Sequence, residues 1–140
     1  MPLVYRAMRA DPRDSSKPEV AASGRALGVR PTDIPIDGNG DVAPGTGGMS
    51  VSPTWRDLPG FRIPRRLRPL CNKAAGPNDN YCWMMGDGPF QAAAVTSNLD
   101  LRPDPRRGSH GFVEPARTMS HGDYEEALAD TRNQWTIDEA

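Results

Sequence analysis

The sequence predicts an α+β domain: a small mixed sheet of short strands, few helices, and an amphipathic helix near the carboxyl end. Three observations carry this. Short apolar runs recur between turn signals, among them Leu3 to Met8, Met49 to Ser52 and Tyr81 to Met85. One late segment has helical spacing, with Tyr124, Ala127, Leu128, Thr131 and Trp135 on a single stripe. The composition is loop-rich, with 14 glycines and 15 prolines against only 22 Leu, Ile, Val and Phe in 140 residues, so the core is modest. Disorder would combine low hydrophobicity with high net charge, and here the net charge is −1. Short strands with one or two helices make an α+β domain, and the length makes residues 1–140 a single one.

The elements follow in order. Leu3 to Met8 reads as a first strand with Val4, Arg6 and Met8 on one face and Leu3, Tyr5 and Ala7 on the other. Asp11 to Pro18 is a polar, proline-marked loop, and Glu19 to Leu27 is a short helix closed by Gly28. Ile34 to Ile36 runs into Asp37-Gly-Asn-Gly40, a strong turn signal. A glycine loop, Ala43 to Gly48, leads straight into the strand Met49 to Ser52, which Pro53 ends. The four prolines from Pro53 to Pro69 argue against regular structure there. Tyr81 to Met85 and Phe90 to Ser97 are strands around the turn Gly86 to Pro89, and Asn98 to Arg102 continues the second. His110 to Glu114 is a short strand stopped by Pro115. Ser120 caps the last helix, acids fill its first turn, and the helix ends at Gln134-Trp135.

Cys71 and Cys82 sit outside any metal or redox spacing and read as two free thiols. His110 and His121 share no ligand cluster with them, so no metal is expected. No 18-residue apolar run and no signal-peptide core are present, which points to cytoplasm without a membrane, or to delivery into a target cell without a cleavable signal. Charge is uneven: six bases lie between Arg56 and Lys73 against Asp57, and six acids from Asp123 onward against Arg132. Such asymmetry suggests a polyanion or a complementary protein, or two faces that neutralise each other.

Arg6 is the unusual residue of the first strand. Flanked by Val4 and Met8, its planar fork is partly desolvated and suits a pyrophosphate or a carboxylate, with a surface arginine on the open face of a sheet as the alternative. Gly47 and Gly48 allow backbone N–H groups to approach an anion, and Ser50 and Ser52 project from one strand face. The loop is no Walker motif, and Ser50 lacks the strand–turn–helix setting of a hydrolase nucleophile.

Four islands together resemble the small cytotoxic effectors of bacterial type VI secretion whose fold is similar to mono-ADP-ribosyltransferases. They are Leu3-Val4-Tyr5-Arg6-Ala7, Ala43 to Val51, His110 to Ala116, and the last amphipathic helix to Trp135. Arg56 to Ala94 matches poorly. The wider superfamily carries an arginine on its first strand, a Ser-x-Ser strand and a catalytic glutamate on a later strand. Arg6 fits the first and Ser50 with Ser52 the second. The usual Glu-x-Glu or Gln-x-Glu is missing, which leaves Glu114 as the strand glutamate in the right region, with a solvated strand end before Pro115 as the alternative.

The resemblance implies an ADP-ribosyltransferase-like fold, and cleavage of the nicotinamide–ribose bond of NAD with transfer of ADP-ribose to a macromolecular acceptor. It also implies a dedicated immunity or antitoxin protein in the producer. Arg6, Ser50 and Glu114 are then the catalytic candidates. Tyr5, Arg6, Gly47, Gly48, Ser50, Ser52 and His110 are the NAD-binding candidates. Tyr5 and Trp55 are candidate stacking rings, with core packing as the alternative. Two other readings stand beside this one. The basic segment 56–73 suits a nucleic-acid-binding or RNA-phosphate-processing protein, with Arg65, Arg66 and Arg68 on phosphates and Trp55 or Phe61 on bases. The same segment also suits a non-enzymatic protein-interaction module.

Overall fold

β1 (Val4–Asp11) organises the molecule, and both of its faces are buried. In this computed structural model, which describes residues 1–140, Val4 and Met8 enter a core of 18 residues, whereas Tyr5 and Ala7 enter a second core of eight. β2 (Asp14–Pro18) folds back onto β1 past a bulge at Ala10/Asp11. β5 (Asn80–Met85) runs antiparallel along the other edge, from Val4 opposite Met85 to Arg9 opposite Asn80. β10 (Thr136–Ile137) closes that side, so the first sheet has the order β10-β5-β1-β2.

The second four-stranded sheet is β4 (Met49–Val51), β8 (Gly111–Pro115), β7 (Leu99–Pro103) and β6 (Ala93–Ala94), in that order. β3 (Asp41–Val42) and β9 (Met119–Ser120) form a separate two-stranded ribbon, followed at once by α1 (His121–Ala129). Met49, Val51, Leu101 and Val113 of the second sheet meet Val4, Met8, Trp83 and Met85 of the first in the larger core, with Tyr124 and Leu128 of α1 among them. Tyr124 also ties the second sheet together: its hydroxyl donates to the Val113 carbonyl at 2.5 Å and accepts the Met49 N–H at 3.0 Å. Behind the first sheet, the proline-rich stretch packs Trp55, Leu58, Ile63 and Leu67 against Tyr5, Ala7 and Cys82. Its only regular structure is two 3-10 turns, Trp55–Asp57 and Arg65–Leu67.

The α+β class expected from the sequence holds, as a mostly-sheet form with one short helix. Several elements differ from expectation. Asp14–Pro18 is a strand because the edge of β1 beyond the bulge needs a partner for its backbone groups. Glu19 to Leu27 is not a helix. Its backbone is drawn into tertiary contacts, with the Leu27 N–H on the Glu19 carbonyl at 2.7 Å and the Ser23 and Ala26 carbonyls accepting from Arg6. Phe90 to Ser97 shrinks to Ala93–Ala94, and Leu99–Pro103 turns back against it as a hairpin instead of continuing it. The last helix stops at Ala129, although its whole stripe is buried; Thr131 instead caps the Leu128 carbonyl with its hydroxyl at 2.7 Å and accepts the Trp135 indole N–H at 2.9 Å. The chain is extended again at Thr136.

Both cysteines are free. Burial, reinforced by the Glu139 carboxylate, pushes the Cys82 thiol up to about 12, while Cys71 is half-buried. Because the thiolate is the reactive form, iodoacetamide is expected to label Cys71 in the native protein and Cys82 only after denaturation. Mass spectrometry of native and urea-treated samples checks this, and native labelling of Cys82 would contradict it. No helix is long and apolar enough to cross a membrane.

Candidate functional site

The two sheets meet at one backbone junction. The Tyr5 N–H donates to the Ser52 carbonyl at 2.8 Å, and the Ser52 N–H returns to the Tyr5 carbonyl at 3.0 Å. That pairing brings Arg6 beside the serine strand. The Arg6 guanidinium then donates to four carbonyls: Nε to Ala26 at 3.1 Å, Nη1 to Ser50 at 2.9 Å, and Nη2 to Ser23 at 3.2 Å and Gly28 at 3.3 Å. A guanidinium has five N–H donors, so most of this one is committed to backbone. Arg6 is 6 % exposed, and burial lowers its pKa to about 10 against an opposing pull from Asp33. It stays charged at neutral pH and stitches the 23–28 loop to β4.

Arg6, Ser50, Ser52 and His110 line one cleft of about 270 Å³. Ser50 is exposed and Ser52 is 2 % exposed; the Ser50 carbonyl is taken by Arg6, but neither serine hydroxyl has a partner within the protein. Three further arginines, Arg30, Arg62 and Arg107, share this cleft with a single carboxylate, Asp33. Arg30 already claims that carboxylate, through its backbone N–H at 2.7 Å and its guanidinium at 2.9 Å. Burial lowers the Arg62 pKa, with the positive charges of Arg30 and Arg25 adding to the effect. His110 rests its Nδ1 3.2 Å from Asp104 Oδ2 and packs edge-on to Phe112. The cleft is therefore cationic, and its charge is not balanced from within.

Other expected site residues lie elsewhere. Glu114 does not line the cleft. Its Oε2 accepts the Gly45 N–H at 2.7 Å and the Arg102 Nε–H at 2.9 Å, so it holds the glycine loop in place. Gly47 and Gly48 are buried: a β-carbon would come within 2.3 Å of the Asp33 carbonyl oxygen at the first and 2.8 Å of the Val113 carbonyl oxygen at the second. Their lack of a side chain serves chain packing. Tyr5 is in the second core, where its hydroxyl donates to Asp138 Oδ2 at 2.5 Å. Trp55 is buried beside it, its indole N–H on the Ala140 carbonyl at 3.1 Å.

Asp33, Arg30 and Arg107 line the cleft and are not among the site candidates that the sequence offers. Arg30 and Asp33 form an i,i+3 pair and carried that signal, whereas nothing local distinguishes Arg107. Arg62 and Phe61 belong to the basic segment, but there they join a cleft and not an open row of cations. Of the segment's other arginines, Arg66 is held bidentate by Glu139 at 2.8 and 2.9 Å, and Arg68 donates to the Ala74 carbonyl at 2.8 Å. The basic and acidic segments thus neutralise each other in part.

No group of three or more His, Cys, Asp or Glu side chains is arranged to hold a metal ion. Comparison with family models, curated proteins and solved structures finds no match. Fold and site by themselves define a small, mostly-sheet α+β domain with a cationic cleft at the seam of its two sheets.

Proposed function

We propose that the chain is an NAD-dependent cytotoxic effector that transfers ADP-ribose to an intracellular target, with the cleft beside Arg6 as its site. The supporting observation is that two unpartnered serine hydroxyls and four guanidinium groups share one cleft, next to the first-strand arginine. A cleft of about 270 Å³ lies just under the roughly 300–1,000 Å³ of typical ligand pockets, which suits enclosure of one half of a dinucleotide. The type VI effector resemblance supplies the reaction class, and an immunity protein that covers the cleft completes the reading.

In such a transfer the ribose–nicotinamide bond breaks with its electron pair leaving on nicotinamide, and the acceptor's nucleophile bonds to the ribose carbon as it loses a proton. The residues of this chain supply the surroundings. Ser50 and Ser52 donate to ribose hydroxyls. Asp33, the carboxylate of the cleft, holds Arg30 at the site through the Arg30 backbone N–H and guanidinium. Arg6 keeps β4 in register with the 23–28 loop, and Glu114 keeps the glycine loop in place.

The test is expression in a bacterial cytoplasm with NAD quantified, wild type against a Ser50→Ala/Ser52→Ala double variant at matched soluble levels. Wild type is expected to arrest growth and deplete NAD or modify a target, and the double variant to lose at least about tenfold of that activity. Growth arrest with NAD untouched and no ADP-ribose on any protein or nucleic acid would overturn the proposal.

A further inference from the structure

The proposed function leaves open what balances the charge of the cleft. Arg6 has given its donors to carbonyls, and Arg30 is paired with Asp33. Arg62 and Arg107 remain. Both line the cleft, and neither forms an ion pair or donates a side-chain hydrogen bond to the protein. Arg62 is half-buried, packs against Gly24 and feels the like charges of Arg30 and Arg25, which Asp33 offsets only in part. A half-buried cation pressed by other cations is unfavourable unless an anion completes the set. The planar forks of arginine match phosphate oxygens in pairs, which the compact ammonium of lysine does not.

A second feature lies beside them. Phe61 lines the same cleft and is 65 % exposed, the most exposed large apolar side chain in the protein. The Arg62 guanidinium lies over its ring, 5.0 Å from the centroid. A largely exposed phenyl ring with one of these guanidinium groups over it presents a flat apolar surface and a phosphate clasp side by side. A phosphate alone has no use for the ring, and an aromatic compound alone has no use for the charges.

We infer that Arg62 and Arg107 clasp the phosphates of a nucleoside diphosphate moiety while Phe61 stacks on its base, with Arg6 acting only as a positioning residue. This rests on the NAD reading for biological context but not for its chemistry, since ADP is the ligand half in question. Each phosphate contact from a charged donor is a strong one, and base–aromatic stacking adds an independent, sequence-tolerant contribution.

Calorimetry on the purified full chain decides, with ADP, inorganic pyrophosphate and adenosine as separate probes. Wild type is expected to bind ADP more tightly than either fragment. Arg62→Ala and Arg107→Ala are expected to weaken ADP and pyrophosphate about tenfold or more, and to reduce the salt dependence of binding. Phe61→Ala is expected to weaken ADP and leave pyrophosphate unchanged. All three side chains are partly or largely exposed, so unchanged unfolding midpoints serve as the folding control, and Arg107→Glu gives the stronger charge test. Absence of ADP binding by wild type, or wild-type ADP affinity in both arginine variants, would overturn the inference. ADP binding with this pattern but no NAD consumption in cells would leave it standing and remove the transferase reading. NAD consumption with the arginine variants unaffected would do the reverse.

Discussion

Arg6→Ala is expected to lower the unfolding free energy by roughly 2–5 kcal/mol, whatever ligand the cleft takes. The substitution leaves the carbonyls of Ser23, Ala26, Gly28 and Ser50 without their donor. Two of these bonds are buried, to Ala26 and Gly28, where water cannot readily substitute; the other two are partly buried. An unsatisfied buried acceptor costs about 1–3 kcal/mol, and solvent can rescue the remainder only in part. The 23–28 loop, released from β4, would also expose Leu27, a member of the larger core. Urea unfolding followed by circular dichroism measures this. Arg6→Lys keeps the charge but lacks the fork, and is expected to fall between the two. A wild-type midpoint for Arg6→Ala would show that the carbonyl contacts contribute nothing. The consequence for function is direct: loss of activity in Arg6→Ala reports on the scaffold, and the ligand contacts are better tested at Ser50, Arg62 and Arg107.

Gly47→Ala should be as damaging, with a loss of roughly 3 kcal/mol or more. The residue has φ +150°, a region that side chains rarely adopt, at a cost of about 1–3 kcal/mol. A β-carbon would also sit 2.3 Å from the Asp33 carbonyl oxygen and 3.2 Å from the Ile34 α-carbon. Both neighbours are backbone atoms, so no side chain can swing aside. Relief requires a shift of the Asp33 loop, which carries the Arg30–Asp33 pair of the cleft, so ligand affinity should fall with stability. Gly38→Ala is the control. It meets nothing within 4 Å and has no positive φ, and should stay within about 0.5 kcal/mol of wild type. Equal midpoints for the two alanine variants would show that close packing is not why Gly47 is a glycine.

The glycine loop shows how far a local pattern can be read. Its flexibility and its lead into a Ser-x-Ser strand were visible in the residues, and β4 forms there. The purpose of the glycines was not, because the groups they approach, Asp33 and Val113, are distant in sequence or contributed by another strand. The same limit governs the helix expected over Glu19 to Leu27. Its local propensities compete with an arginine on β1 that needs carbonyl acceptors, and the arginine prevails.

What the amino-acid order determined alone was local. It set the first strand and its two-faced alternation, the Asp37–Gly40 turn, the strand at Tyr81, and the Ser120 cap of the final helix with its single stripe. Each of these depends on neighbours within a few positions, where side-chain period and backbone sterics act directly. Only the tertiary structure decided that Tyr5 pairs with Ser52, that Glu114 braces a loop away from the cleft, and that Arg30, Arg62 and Arg107 gather around Arg6. Those arrangements follow from closing two sheets over a shared core, and the residues they unite are far apart along the chain, so no pattern of period or spacing could announce them.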